Sequence, residues 1–174
     1  MDIIVSVDEN WGIGKDNQLL VRISADLKRF RKMTTGNIII MGRKTLESFP
    51  DGKPLPNRMN IVMTHHHEYT CEGAKVCHSI PEVLKTISKY KNKYVFVVGG
   101  SSIYQQFLPY CERAYVTKIY QTFLSDAYFR DLDKDYQWKL IEQQPLQQEN
   151  GIDYAFLVYE NQQYQQIAVK QKIV

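Results

Sequence analysis

Two apolar runs constrain this chain more than any other feature. IIIMG at residues 38–42 and VFVVGG at residues 95–100 each end in glycine and pass at once into a helix-forming stretch. A run with almost no polar alternation is a strand buried on both faces, as in the middle of a parallel sheet. A strand that turns on glycine into a helix is half of a right-handed strand–helix–strand crossover. The first two-thirds of the chain repeats that alternation. It predicts strands at 3–7, 37–41, 59–64, 76–77, 94–98 and 113–120. It predicts helices at 25–34, at 43–49, from Ser79 to about Tyr90, and from the paired glycines to Leu108, where Pro109 ends the last one.

Local signals sharpen these bounds. Leu27, Phe30 and Met33 recur at helical spacing behind Ser24, the expected N-cap. Val83, Leu84 and Ile87 make the inward stripe of the helix capped by Ser79. Residues 8–22 show no period and, with Gly12 and Gly14, read as a loop; Pro50, Gly52, Pro54 and Pro56 mark another. The last third adds strands near 138–143 and 153–159. The expectation is an α/β fold, a mostly parallel central sheet with flanking helices and a C-terminal antiparallel addition. Residues 1–160 form one domain, and residues 161–174, Gln-rich at first, read as a tail.

Composition narrows the function. At 174 residues, 44% hydrophobic and 24% charged, the chain suits one ordinary globular domain. Its longest apolar run is YAFLVY at residues 154–159, far short of the roughly 20 residues a membrane helix needs. The start MDIIVSVDEN carries Asp2 and no basic stretch ahead of a long apolar one, so no signal or transit peptide is expected. The net charge of +3, with no basic stripe, argues against nucleic acid but suits a small anionic ligand. Cys71, Cys77 and Cys111 are expected as free thiols in the cytoplasm.

The two glycine turns are the first chemical candidates. Amides at a helix start carry partial positive charge and bind phosphate oxygens, and glycine permits close approach. Two such turns on one sheet suggest a dinucleotide; plain tight turns would look the same. Arg43 and Lys44 add charge at the first turn, or are simply solvated. Asp26 shares a helical face with Phe30 and Met33. Held against apolar groups, its carboxyl could keep a proton near neutrality; an acid at a helix start also complements the helix dipole. His65, His66 and His67, near Cys71, Cys77 and His78, match no usual zinc spacing, and no metal is expected. No GxSxG elbow is present.

In order, DENWGIGKDNQL, ADLKRF, IIIMGRKTLES, PLPNRMNIV, VFVVGGSSIYQQFLP and YVTKI resemble dihydrofolate reductase, from Asp2 to about Glu160. The resemblance implies NADPH-dependent reduction of 7,8-dihydrofolate to tetrahydrofolate, with antifolates as inhibitors. Asp26 matches the acid that hydrogen-bonds the pterin ring and promotes protonation at N5, and Thr117 the hydroxyl that bonds this acid. Hydride would pass from nicotinamide C4 to pterin C6. The carbonyls of Ile4 and Val98 would face the pterin edge, with Val5 and Tyr104 beside them. Leu27, Phe30, Phe49 and Leu55 would supply apolar walls, and Arg58 would pair with the glutamate α-carboxylate of folate.

On the cofactor side, the resemblance sets Ser6 and the loop residues Ile13, Gly14, Asn17, Gln18 and Leu19 at the nicotinamide and its ribose. Gly42, Arg43, Lys44 and Thr45, with Gly99, Gly100, Ser101, Ser102 and Ile103, would hold the phosphates, the Gly99-Gly100 peptide being cis. Thr64 and His65 would meet the adenosine 2′-phosphate, and His78 the adenine. The chain departs from the family's pattern at Leu20-Val21, where Pro-Trp is common, and at Ser24, where proline is frequent. Ser125-Asp126-Ala127 replaces Gly-Asp-Thr, and Arg130 stands where proline is usual. A monomer is expected. The rivals are the related NADPH-dependent pyrimidine reductase of flavin biosynthesis and a non-catalytic folate-binding protein; Asp26 and Arg58 favour a pterin with a glutamate tail.

Overall fold

A computed structural model describes residues 1–165. In chain order the elements are β1 (Asp2–Val7), β2 (Gly12–Gly14), α1 (Ser24–Thr34), β3 (Ile38–Gly42) and α2 (Arg43–Glu47). Then come β4 (Met59–Met63), β5 (Ala74–Cys77), α3 (Ile80–Ile87), β6 (Val95–Gly99), α4 (Ser101–Phe107) and β7 (Arg113–Ile119). The chain closes with β8 (Ala127–Tyr128), β9 (Trp138–Gln143), β10 (Gln147–Glu149) and β11 (Ile152–Asn161). Single 3-10 turns follow α2, at Pro50–Gly52, and α4, at Leu108–Tyr110.

One sheet organises the molecule, in the order β10-β11-β7-β1-β6-β3-β4-β5, with β9 also paired to β11. From β5 to β7 every neighbouring pair is parallel; β11 runs antiparallel to β7, and β9 and β10 antiparallel to β11. The two runs that opened the sequence argument lie side by side, β3 against β6, with Met41 opposite Gly99. Ile38, Ile39, Ile40 and Met41 are fully buried, the two faces of β3 feeding two separate apolar clusters. That double burial is why the run shows no polar alternation. Parallel pairing also carries the carboxyl ends of β3, β4 and β6 to one edge, where ligands of open α/β sheets bind.

Several expectations need correction. Ser24 does not cap α1: Ile23 holds the N-cap position without a side-chain bond, and Ser24 is the first helical residue. The work of a cap falls to Glu149 of β10, whose carboxylate accepts from the amides of Ser24 at 2.7 Å and Ala25 at 3.4 Å. A carboxylate at a helix start complements the dipole as well as the orphan amides, and those amides hold the Glu149 carboxyl below its ordinary pKa. Ser79 does cap α3, accepting from Glu82 N; that helix ends at Ile87 rather than near Tyr90. The 8–22 loop contains β2, which pairs with β8. Both are too short to carry a period. β11 extends two residues past the expected 159 to Asn161, whose buried side-chain amide donates to the carbonyl of Cys111 at 3.0 Å. Gln162 N then donates to Gln137 O at 2.8 Å and Gln165 N to Pro109 O at 2.7 Å, so the expected tail begins with residues bound to the body. Its remainder, 166–174, lies outside the described residues.

Candidate active site

α1 crosses the β7–β11 side of the sheet and sets Asp26 against Thr117. Thr117 is almost fully buried, opposite Ser6 on β1 and Phe156 on β11. Its hydroxyl donates to Asp26 Oδ1 at 2.6 Å, a short bond typical of a charged acceptor. Burial pushes the Asp26 carboxyl above its ordinary pKa; the Thr117 hydrogen bond and the charge of Arg29 pull the other way. Burial wins, so Asp26 takes a proton more readily than a solvated acid.

The other residues expected on this side are spread over several elements. Phe30, Phe49 and Leu55 are half-buried, whereas Leu27, one residue from Asp26, is 43% exposed on the open side of the helix. Tyr104 reaches under β1 and donates to the Ile4 carbonyl at 2.7 Å. Val5 belongs to the main core, and Val98 packs partly buried on the other face of the sheet. Arg58 has no acid partner among the described residues. Its Nε donates to Thr34 Oγ1 at 2.8 Å, Nη1 to Pro56 O at 2.9 Å and Nη2 to Thr35 Oγ1 at 3.3 Å. A guanidinium aimed by three neutral acceptors keeps its charge for a ligand.

Asn60 builds the turn that carries Arg58 and Leu55, and the sequence reading missed it. Its buried side chain accepts from Leu55 N at 3.0 Å and donates to the carbonyls of Leu55 at 2.9 Å and Arg58 at 3.1 Å. The available signal was one amide inside the apolar run MNIVM.

The cofactor-side residues gather at the carboxyl ends of β3, β4 and β6. A Cβ added at Gly42 would stand 3.1 Å from Ile103 Cγ1; at Gly99 or Gly100 it would meet Thr45 Oγ1 at 3.5 or 3.4 Å. The two turns therefore face each other, with Thr45 and Ile103 between them. The Gly99-Gly100 peptide is cis, and Gly99 has φ +124°, a region closed to other residues. Arg43 is paired with Glu47 at 2.6 Å on its own helix, which leaves Lys44 as the exposed cation there. Ser101 Oγ accepts from Tyr128 N at 3.1 Å, and Ser102 Oγ from Gln106 Nε2 at 3.0 Å. Thr64 is buried at the end of β4, with His65 exposed beside it. His78 Nδ1 donates to the Thr64 carbonyl at 2.9 Å, and its ring lies 4.6 Å from that of His67.

The loop from β2 to Leu19 is tied to α2 and to the segment before β8. Lys15 and Gln18 exchange backbone hydrogen bonds across Asp16 (φ 50°) and Asn17 (φ 59°), a tight hairpin turn. Asn17 Nδ2 donates to Lys44 O at 2.8 Å, tying the loop to α2. At its root, buried Asp8 accepts from Gly12 N at 2.8 Å and Phe123 N at 2.9 Å. Asp126 Oδ2 accepts from Asp16 N at 2.9 Å. Asp8 did not stand out in the sequence, and Asp126 did so only as the acid of Ser125-Asp126-Ala127. Ile13 and Gly14 lie on β2, Ser6 is half-buried on β1, and Leu19 is 53% exposed.

A dinucleotide fits these residues. The facing glycine turns bring two helix starts close together with no side chain at Gly42, Gly99 or Gly100, and Lys44 and His65 are an exposed cation and imidazole just past the ends of β3 and β4. The family model described as dihydrofolate reductase matches residues 1–161. The chain belongs to the dihydrofolate reductase family.

Individual relatives agree. The dihydrofolate reductase of Bacillus subtilis (strain 168) is 42% identical over 162 residues, covering 92% of this chain and 94% of that protein. The Rattus norvegicus enzyme is 38% identical over 183 residues, at 92% and 96% coverage. A solved dihydrofolate reductase from Enterococcus faecalis, complexed with NADP(H) and RAB-propyl, superposes with a TM-score of 0.82 at 32% identity, covering 92% of this chain and 95% of that one. The activity of this dihydrofolate reductase is NADPH-dependent reduction of 7,8-dihydrofolate to tetrahydrofolate. Among the described residues no helix is long and apolar enough to cross a membrane.

Proposed function

We propose that Asp26 is the proton-handling group of this reaction, with dihydrofolate on the α1 side of the cleft and the dinucleotide on the glycine turns. The observation that carries the reading is the 2.6 Å bond from Thr117 to a carboxyl whose pKa burial has raised. Such a carboxyl bonds the pterin ring and promotes protonation at N5, while Thr117 fixes its orientation. Bound NADPH supplies the hydride, from nicotinamide C4 to pterin C6. Leu27, Phe30, Phe49 and Leu55 exclude water from the ring and benzoyl group. Arg58 takes the glutamate α-carboxylate. The carbonyls of Ile4 and Val98, with Val5 and Tyr104, border the pterin edge.

On the other side Ser6 and residues Ile13, Gly14, Asn17, Gln18 and Leu19 border the nicotinamide ribose. Gly42, Arg43, Lys44 and Thr45, with Gly99, Gly100, Ser101, Ser102 and Ile103, hold the phosphates. Thr64 and His65, together with Lys44, meet the 2′-phosphate and His78 the adenine. The reading needs no metal. The protein acts as a monomer in the cytoplasm and binds no nucleic acid, in keeping with its mild charge; sedimentation with and without ligands checks its size.

Adding dihydrofolate to protein and NADPH tests the assignment. Stoichiometric loss of NADPH with formation of tetrahydrofolate is expected, and much slower loss of NADH. Consumption only with a ribitylated pyrimidine would favour the flavin-pathway rival, and binding without consumption a non-catalytic folate binder.

A further inference from the structure

Arg29 lies one helical turn after Asp26, on the same face of α1. Arg29 is half-buried, and its contacts are specific. Its guanidinium carbon stands 4.5 Å from the centre of the Phe156 ring and 5.7 Å from that of Tyr115. Its Nη1 donates to the carbonyl of Val116 at 3.4 Å. These groups belong to the patch that anchors Asp26. Tyr115 and Thr117 alternate onto one face of β7, and Phe156 is the direct partner of Thr117 on β11. One small floor therefore holds both ends of an acid–base pair. Thr117 fixes the carboxylate, and two aromatic faces with the next carbonyl fix the cation.

We propose that Arg29 is a positioning residue for the proton step: held on Tyr115, Phe156 and Val116, it biases Asp26 toward its ionised form and so sets the pH above which hydride transfer fails. This rests on the reading of Asp26 given above.

The electrostatic surroundings support the direction. Burial raises the pKa of Asp26, and among the described residues Arg29 is the cation that lowers it. In return Asp26 is the first charge that supports Arg29 against its own burial, followed by Glu142 of β9 and Tyr115 of β7. Among the described residues the other titratable groups coupled to Asp26 are phenols, Tyr104 from α4 and Tyr154 from β11. Burial pushes both up, and the Asp26 charge adds to it, after that of Glu149 in the case of Tyr154. Glu149 itself is engaged by the amides of Ser24 and Ala25. The phenols stay neutral at physiological pH, so Arg29 is the charge that tunes the acid. Cation and carboxylate share a partly desolvated pocket, where such coupling exceeds its value in water. Aromatic faces suit this task because they hold a guanidinium without neutralising it.

The test is the ¹³C NMR titration of the Asp26 carboxyl in the ligand-free protein, assigned with Asp26→Asn, beside single-turnover hydride transfer across pH. Arg29→Met keeps the apolar stem on Phe156 and removes the charge. Its Asp26 midpoint should rise by about one pH unit, and the pH at which hydride transfer falls should rise with it. Arg29→Lys should restore the wild-type midpoint to within a fraction of a unit. Arg29→Gln, which keeps a donor for Val116, replaces Arg29→Met if that variant does not fold. A wild-type midpoint in the folded neutral variant would overturn the inference. Near-normal hydride transfer in Asp26→Asn would instead sink the role of Asp26, while the carboxyl titration still reports whether Arg29 acts on it.

Discussion

In the proposed assignment the pterin side of the cleft depends on one ionisable side chain, Asp26, which accepts from Thr117 at 2.6 Å. The proposed cofactor side depends instead on backbone: Gly42, Gly99 and Gly100 let two helix starts face each other across Thr45 and Ile103. The first half is broken by taking a group away, the second by adding one. A proton step needs a tuned pKa, which only a side chain in a particular environment provides. Binding a polyphosphate needs several donors at close range, which the main chain provides wherever side chains are absent.

The sharpest test of that contrast is Asp26→Asn. Hydride transfer to dihydrofolate should fall by about 10²–10⁴-fold at neutral pH, with NADPH affinity nearly unchanged. The deficit should shrink in acid, where solvent can protonate N5; single-turnover rates across pH would reveal it. Next in size is Gly99→Ala. At φ +124° any Cβ is strained, although its nearest neighbours, Thr45 Oγ1 and the Tyr104 ring, stand at ordinary contact distance, 3.5 Å. A loss of about 1–3 kcal/mol in folding free energy is expected by chemical denaturation, together with weaker NADPH binding. If Gly99→Ala slowed hydride transfer at saturating NADPH as much as Asp26→Asn does, the two halves would not be separable.

Lys44→Gln should act more gently, because the side chain is exposed. NADPH should bind about two- to fivefold more weakly, while NADH, lacking the 2′-phosphate, barely changes. Equal losses for both cofactors would remove Lys44 from that phosphate. The smallest effect expected is on stability. The folded-state pKa of Asp26 lies above its unfolded value, so its ionisation costs stability as pH rises through the folded pKa. Asp26→Asn should melt slightly higher than wild type at pH 7, and the gain should vanish as pH falls below the unfolded pKa. A lower Tm at neutral pH would mean that the Thr117 hydrogen bond outweighs burial.

Much of this was legible beforehand. The unbroken apolar run at 38–41 announced a doubly buried strand, and β3 is one. The hydroxyl at Ser79 announced a cap and accepts from Glu82 N. The motif order pointed to the family that the comparisons show. Less legible was the support around the site. Ser24 had every local mark of a cap, yet the acceptor for its amide is Glu149, 125 residues away. Asp8 and Asp126 read as loop acids, and both anchor backbone amides of the 8–22 loop.

Periodicity and turn chemistry act between near neighbours, so the sequence alone determined the alternation of strands and helices, the two glycine turns and the candidate acid. The resemblance already paired that acid with Thr117, but only the folded chain brings the two together and adds the rest of its surroundings. Burial of Asp26, the Thr117 hydroxyl 91 residues later and the Arg29 cation on Phe156 all depend on which strands meet beneath α1. The pKa of a carboxyl is set by such neighbours rather than by its own place in the chain.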